Sequence, residues 1–236
     1  MDAASFLRHF RRELDAFGAC LANGDLAAPI EHGDEGWTLA ELAAHVGTAN
    51  LFAAAAVTDW DGGTEPPDGT PPKVPEDRYE LTRWVDGTGE VLAMALDVDP
   101  NAPAWGYYTP PNAGYWQRSR AVSMMLHRWD AERAVGESGP LDAELACEGI
   151  TEVFDVLAPR QIGRGKAWPP DVCIRLEATD TTEWWVFGPG DPVADIAGTA
   201  GDLLLLLRGR RSPDDPVFLW TGDREAALSV LKGPLT

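Results

Sequence analysis

The hydrophobic period changes once along this chain, and that change limits the fold more than any other feature. From the N-terminus to about residue 134, apolar residues recur every three to four positions. Phe6, Phe10, Leu14 and Phe17 are one such set. Beyond "VGESGP" (135–140) and one further helical stretch near 141–158, the period drops to two. "VCIRLEA" alternates, "EWWVFG" follows a Thr-rich turn, and "VADIAG" follows "GPGDP". A period near 3.6 buries one stripe of a helix, and a period of two buries one face of a strand. The pattern predicts an α+β chain: a helical bundle over 1–138, then a small mixed domain over 139–236.

Four helices are expected in the first part, over 3–22, from Thr38 for about four turns, over 78–96 and over 115–134. "DEGWTLAEL" carries a start signal: Thr38 is a good N-cap, and Glu41 three residues later completes a capping box. Leu39, Leu42, Val46, Ala49 and Ala53 then follow on one stripe. Two long loops interrupt the helices, the proline-rich 61–77 and the aromatic 99–114; loops of that length are often functional. In the second part, "AGDLLLLLRGRR" reads as a short buried helix, "PVFLW" as a strand and "TGDREAALSVL" as a last helix capped by Asp223.

Acidic residues number 38 against 19 basic, a formal net charge of −19. Such a chain is repelled by nucleic acid and by anionic membrane surfaces. No run of 18 apolar residues is present, and the N-terminus lacks the apolar segment of a signal peptide. These features favour a cytoplasmic protein without nucleic-acid or membrane partners and say nothing specific about a substrate. The three cysteines, Cys20, Cys147 and Cys173, are odd in number and far apart, which reads as buried free thiols rather than a disulfide framework.

Chemistry-bearing residues concentrate in two stretches. "GWTLAELAAHVG" (36–47) places His45, one of four histidines in the chain, on the flank of an apolar stripe. "YWQRSRAVSMMLHRWDAE" (115–132) aligns Ser123, His127 and Asp130 on one side of a helix, with Arg120 a turn earlier. Val122, Met125, Leu126 and Trp129 fill the adjoining apolar face. Two histidines on separate bundle helices can converge in the core, and neutral imidazole is a good zinc ligand. Hydrogen-bonded core histidines satisfy the same pattern. Asp130 reads equally as a carboxylate paired with an arginine or capping a helix, and Ser123 as a small residue at a helix crossing.

These two stretches, in this order, resemble the mycothiol-dependent maleylpyruvate isomerase family within the wider DinB/YfiT-like four-helix proteins. The likeness runs through Gly36-Trp37-Thr38, Glu41, Leu42, His45 and His127-Arg128-Trp129-Asp130. It continues into "GTAGDLLLLLRGRR…FLWTGDREAALSVL", which looks like that family's sterol-carrier-like second domain. The resemblance implies a DinB-like bundle and an actinobacterial, cytoplasmic enzyme with mycothiol as cosubstrate, acting as an isomerase or thiol transferase on a small electrophile. It also implies one divalent metal, typically zinc, with His45 and His127 as ligands and His127 and Asp130 in catalytic roles. The family's third ligand, Glu or His, falls on Ser123 here, whose hydroxyl is a poor zinc donor. Arg208, Arg210 and Arg211 are candidates to meet an anionic substrate, or simply a solvated basic cluster. Trp105, Tyr107 and Tyr108 are candidates to wall a pocket, or core packing. The alternative function is a ligand-binding protein of the same fold that has lost its metal site.

Overall fold

Each helix of the first unit begins where a side-chain oxygen takes up the first turn's free N–H groups. The computed structural model describes residues 1–31, 36–63, 72–107, 111–136 and 138–232. Asp2, Thr38, Asp77 and Asn112 cap α1 (Ala3–Asn23), α2 (Leu39–Thr58), α3 (Arg78–Ala95) and α4 (Ala113–Val135), each accepting from a backbone N–H in the turn it opens. At Thr38 the box is reciprocal: the Thr38 N–H donates to the Glu41 carboxylate at 2.7 Å. The helix it opens is 20 residues long, well beyond the four turns expected, because its alanines carry no stop signal before Asp59.

Contacts divide the chain into Met1–Pro140 and Leu141–Thr236. In the first unit α1 packs chiefly on α3 and α4, and α2 on the same two, with the α2–α4 seam the thinnest of these four. Phe10 and Phe17 of α1, Leu42 and Val46 of α2, and Met125 and Leu126 of α4 fill the core. α2 corrects the reading of the chain's hydropathy. By length and composition Leu39–Thr58 is apolar enough to cross a bilayer. Its buried apolar residues, Leu39, Leu42, Val46 and Ala53 among them, pack on α3 and α4. α1 and α4 are also joined by charge. The Arg128 guanidinium donates to Glu13 at 2.8 Å and to Glu132 at 2.6 Å, with Glu13 and Arg128 both buried.

The second unit opens with α5 (Ala143–Glu152), which passes through one π-helical turn (Val153–Leu157) into α6 (Ala158–Gly163). Pro159 explains the widened turn: it has no N–H to donate, and its ring would collide with a carbonyl held at normal helical spacing. The strands β1 (Cys173–Ala178), β2 (Trp184–Phe187), β3 (Pro192–Gly198) and β4 (Leu219–Gly222) form a sheet in the order β2-β1-β3-β4. β1 and β3 are parallel; both outer pairs are antiparallel. Between β3 and β4 lies α7 (Ala200–Leu207), whose five consecutive leucines are all buried. α8 (Arg224–Leu231), capped by Asp223, ends the described chain. The α+β architecture expected from the change of period is therefore present. The strand expected over "PVFLW" is displaced to 219–222. Asp215 holds 215–218 in a turn, accepting from the Val217 N–H at 3.1 Å and, through its carbonyl, from the Phe218 N–H at 3.2 Å.

Candidate active site

The turn before α2 is pinned on three sides. Gly36 takes φ +85°, a conformation that favours glycine. The next carbonyl, of Trp37, accepts from the Ile30 N–H at 2.8 Å, and the Leu39 N–H donates to Ala28 at 2.9 Å. The Trp37 indole is thereby laid on His45, with ring centres 5.1 Å apart and planes tilted by 53°. On its other side His45 meets His127 of α4 edge to face, ring centres 5.3 Å apart. The two histidine stretches are brought together across the α2–α4 seam.

They do not meet in the bundle core, as the apolar flanks of both predicted. His45 is exposed and His127 half-buried. Val46, Gly47 and Asn50 take the inward positions of α2, and this rotates residue 45 to the mouth of the seam. Ala49, placed on the core stripe by its spacing, also faces outward and lines a groove.

That groove, of about 820 Å³, runs along one face of α2 past Trp37, Glu41, His45, Thr48 and Phe52, and Tyr107 closes its far end. Ala44, Ala49 and Ala55 give it depth because they carry no side chain beyond Cβ. Phe52 packs edge to face on Trp105 and Trp116 at 5.7 and 6.0 Å, and Tyr107 packs on Trp105 at 4.7 Å. The loop is tied down by the Trp105 N–H, which donates to Ala56 at 2.8 Å, and by the Trp116 indole N–H, which donates to Trp105. Tyr107 thus walls the groove and Trp105 supports it. Tyr108 lies outside the described residues, as do 64–71 of the proline-rich loop. Spacing did not single out Thr48 and Phe52. The signal was present: Glu41, His45, Thr48, Phe52 and Ala55 recur at helical intervals on the flank opposite the core stripe.

The remaining candidates are placed differently. Ser123 is half-buried on α4, one turn before His127. Asp130 is buried within α4, a turn beyond His127, and does not line the groove. Arg120 is buried and donates to the Asn50 side-chain oxygen at 2.9 Å, a seam contact not foreseen. In the second unit Arg211 is held by Asp202 and Asp215, both at 2.7 Å, so it braces the turn after α7. That unit has a concavity of its own, about 690 Å³, lined by Lys166, Trp168, Asp171 and Lys232 among others, with no imidazole or thiol. All three cysteines are free, and burial pushes each thiol above its ordinary value, which keeps it protonated and poorly nucleophilic.

The fit to a metal is partial. Two imidazoles on one tetrahedral ion, at bond lengths of about 2.0–2.1 Å, put their ring centres roughly 5.2 Å apart. The His45–His127 separation of 5.3 Å matches. The donor count does not: among the described residues no group of three or more His, Cys, Asp or Glu is placed to share an ion.

Comparison with known proteins bears on the whole chain. Residues 7–132 match the mycothiol maleylpyruvate isomerase N-terminal domain, and residues 144–229 match the MDMPI C-terminal domain. The chain belongs to the mycothiol maleylpyruvate isomerase family. A crystal structure of the mycothiol-dependent maleylpyruvate isomerase superposes with a TM-score of 0.65 at 18% identity, covering 94% of this chain and 95% of that one. A His-to-Ala mutant of the mycothiol-dependent maleylpyruvate isomerase superposes with a TM-score of 0.61 at 18% identity, covering 89% and 91%. At that identity the likeness is one of fold. No curated protein matches significantly. Within the maleylpyruvate isomerase family assignment, the N-terminal match encloses His45, Ser123, His127 and Asp130, and the groove lies wholly in the first unit.

Proposed function

We propose that this family member catalyses addition of the mycothiol thiol to a small electrophile at the His45–His127 end of the α2 groove. With a cis alkene of the maleylpyruvate type the outcome is isomerisation. The observation that carries this reading is the imidazole pair itself: His45 lines the groove, and His127, half-buried behind it on α4, meets it edge to face at 5.3 Å. One imidazole, His127 in this assignment, accepts the thiol proton. Sulfur then bonds to an alkene carbon, and the π pair moves to the neighbouring carbon, which the adjacent carbonyl stabilises. Rotation about the new single bond and expulsion of the thiolate give the trans isomer, and the proton returns to sulfur. Asp130, a turn further along α4, acts as a positioning residue for the His127 segment rather than touching substrate. No protein cysteine takes part, in keeping with the raised thiols.

A divalent ion, zinc by the family likeness, belongs to the same reading as a weakly held ligand of His45 and His127. Such an ion stabilises a thiolate where it binds. With Ser123 at the third position the protein side of a three-ligand site is incomplete, so no step above passes through it. The three free thiols agree with a cytoplasmic setting.

The test is turnover of maleylpyruvate with purified mycothiol, comparing wild type with His127→Ala. Dependence on both mycothiol and His127 supports the reading. Absence of turnover under zinc saturation, with the fold intact by circular dichroism, transfers support to a ligand-binding protein of the same fold.

A further inference from the structure

The α2 groove is short of positive charge. Its described lining holds one carboxylate (Glu41), one imidazole (His45) and two hydroxyls (Thr48 and Tyr107), and no Lys or Arg. Lys73 lines a separate concavity with Glu76, Asp77 and Glu80. On α4, Arg120 is buried against Asn50, and Arg128 is held by Glu13 and Glu132. The chain as a whole carries −19. A small dianion entering this groove loses hydration without meeting a Lys or Arg in the described lining, and it enters against the overall field. The faces of Phe52 and Tyr107 are themselves electron-rich and disfavour an anion.

The groove instead carries Glu41 and His45 at one end, beside the Trp37 indole, and the rings of Phe52 and Tyr107 at the other. His45 and Phe52 are seven residues apart on α2, about 10.5 Å along the axis at 1.5 Å per residue. Phe52 and Tyr107 present the apolar end, backed by Trp105 and Trp116. We propose that the electrophile taken here is an uncharged conjugated alkene bearing an aromatic arm, its reactive carbon at the His45 end and its ring against Phe52 and Tyr107. The proposal rests on the thiol-addition reading above and names its substrate class. The step balances without a further reactant: sulfur bonds to the β-carbon, the π pair moves to the α-carbon, and the thiol proton ends there.

Binding is read apart from turnover. Two unreactive probes, 3-phenylpropanamide (uncharged, aryl) and fumarate (dianion), are titrated by calorimetry against wild type, Phe52→Ala, Phe52→Leu and Ala55→Trp. The amide is expected to bind at least about tenfold tighter than fumarate, since one good aromatic contact is worth about that factor. Phe52→Ala weakens the amide about tenfold, Phe52→Leu less, and Ala55→Trp, which fills the aromatic end, abolishes its binding. With mycothiol present, cinnamaldehyde then exceeds maleylpyruvate in kcat/KM. Equal or tighter binding of fumarate, amide binding indifferent to all three substitutions, or preference for maleylpyruvate overturns the proposal and leaves the thiol-addition reading standing. Amide binding as expected, with no thiol addition to any electrophile, overturns that reading and leaves the groove's selectivity standing.

Discussion

The imidazoles of His45 and His127 stand edge to face with ring centres 5.3 Å apart, one from α2 and one from α4. If they act as a unit, their losses do not add. His45→Ala and His127→Ala are each expected to lower kcat/KM for mycothiol-dependent turnover by about 10²–10⁴, with the double variant little worse than the worse single. Steady-state kinetics on the three variants checks this. Fully additive losses show that the two rings act independently.

Ser123 lies one helical turn before His127, and both are half-buried on the same side of α4. A carboxylate there supplies the anionic third donor that two imidazoles lack. Ser123→Glu is expected to raise zinc affinity at least about tenfold, a factor worth roughly 1.4 kcal/mol. Adding His45→Ala should erase the gain. Competition with a chromophoric chelator measures it. Affinity unchanged by either substitution places zinc elsewhere or nowhere.

Gly47 and Gly87 predict opposite signs for the same substitution. A Cβ at Gly47 runs into the Trp84 indole of α3, whereas at Gly87, exposed within α3, it meets nothing within 4 Å. Gly47→Ala is expected to cost about 1–3 kcal/mol through overpacking. Gly87→Ala should stabilise by about 0.5–1 kcal/mol, because alanine loses less backbone freedom in a helix. Urea unfolding of the two variants decides both signs.

Arg128 and Glu13 form a buried pair at 2.8 Å joining α4 to α1. Removing Arg128 leaves the buried Glu13 carboxylate with only the more exposed Arg12 guanidinium at 2.7 Å as its partner. Because Arg12 still pairs with Glu13, Arg128→Met is expected to cost about 1–3 kcal/mol, below the roughly 3–5 kcal/mol of a buried charge left with no partner, and Arg128→Met with Glu13→Leu to cost less than the sum of the two singles. A double variant that loses the sum of the two singles refutes the coupling. Chemical denaturation supplies the numbers.

The Asp86 carboxyl sits above its ordinary value of 3.8, first through partial desolvation, although the residue as a whole is exposed, and then through the like charges of Asp15 and Glu90. The folded state therefore binds this proton more tightly than the unfolded chain does. The carboxylate's destabilising effect is fully present above the raised value and is relieved as pH falls toward 3.8. Asp86→Asn is expected to raise the melting temperature at pH 7, with the gain shrinking at pH 4. A gain of equal size at both pH values removes the electrostatic cause.

Much of the bundle is legible without coordinates because its determinants are local. The Thr38–Glu41 box spans three residues, Asp223 caps α8 from the adjacent position, and the change of period is carried by each segment alone. The family likeness, too, sits in short stretches around His45 and His127. The same locality explains the misses. The π-helical turn follows from Pro159 only once a helix continues through it, and the start of β4 follows from a side-chain turn at Asp215 that composition does not display.

What the sequence alone determined is therefore which residues share a helical face and where each helix begins. The tertiary structure decided which edge of that face is buried. His45 and Val46 are neighbours in the chain, yet one is exposed at a groove and the other sealed in the core. The difference is a rotation of α2 about its own axis, set by the close approach of Trp84 at Gly47 and by the Asn50–Arg120 contact with α4. The groove's aromatic end likewise depends on residues 105 and 107, more than fifty positions beyond Phe52. A helical period records repetition along one element; it carries no information about the angle at which a second element arrives.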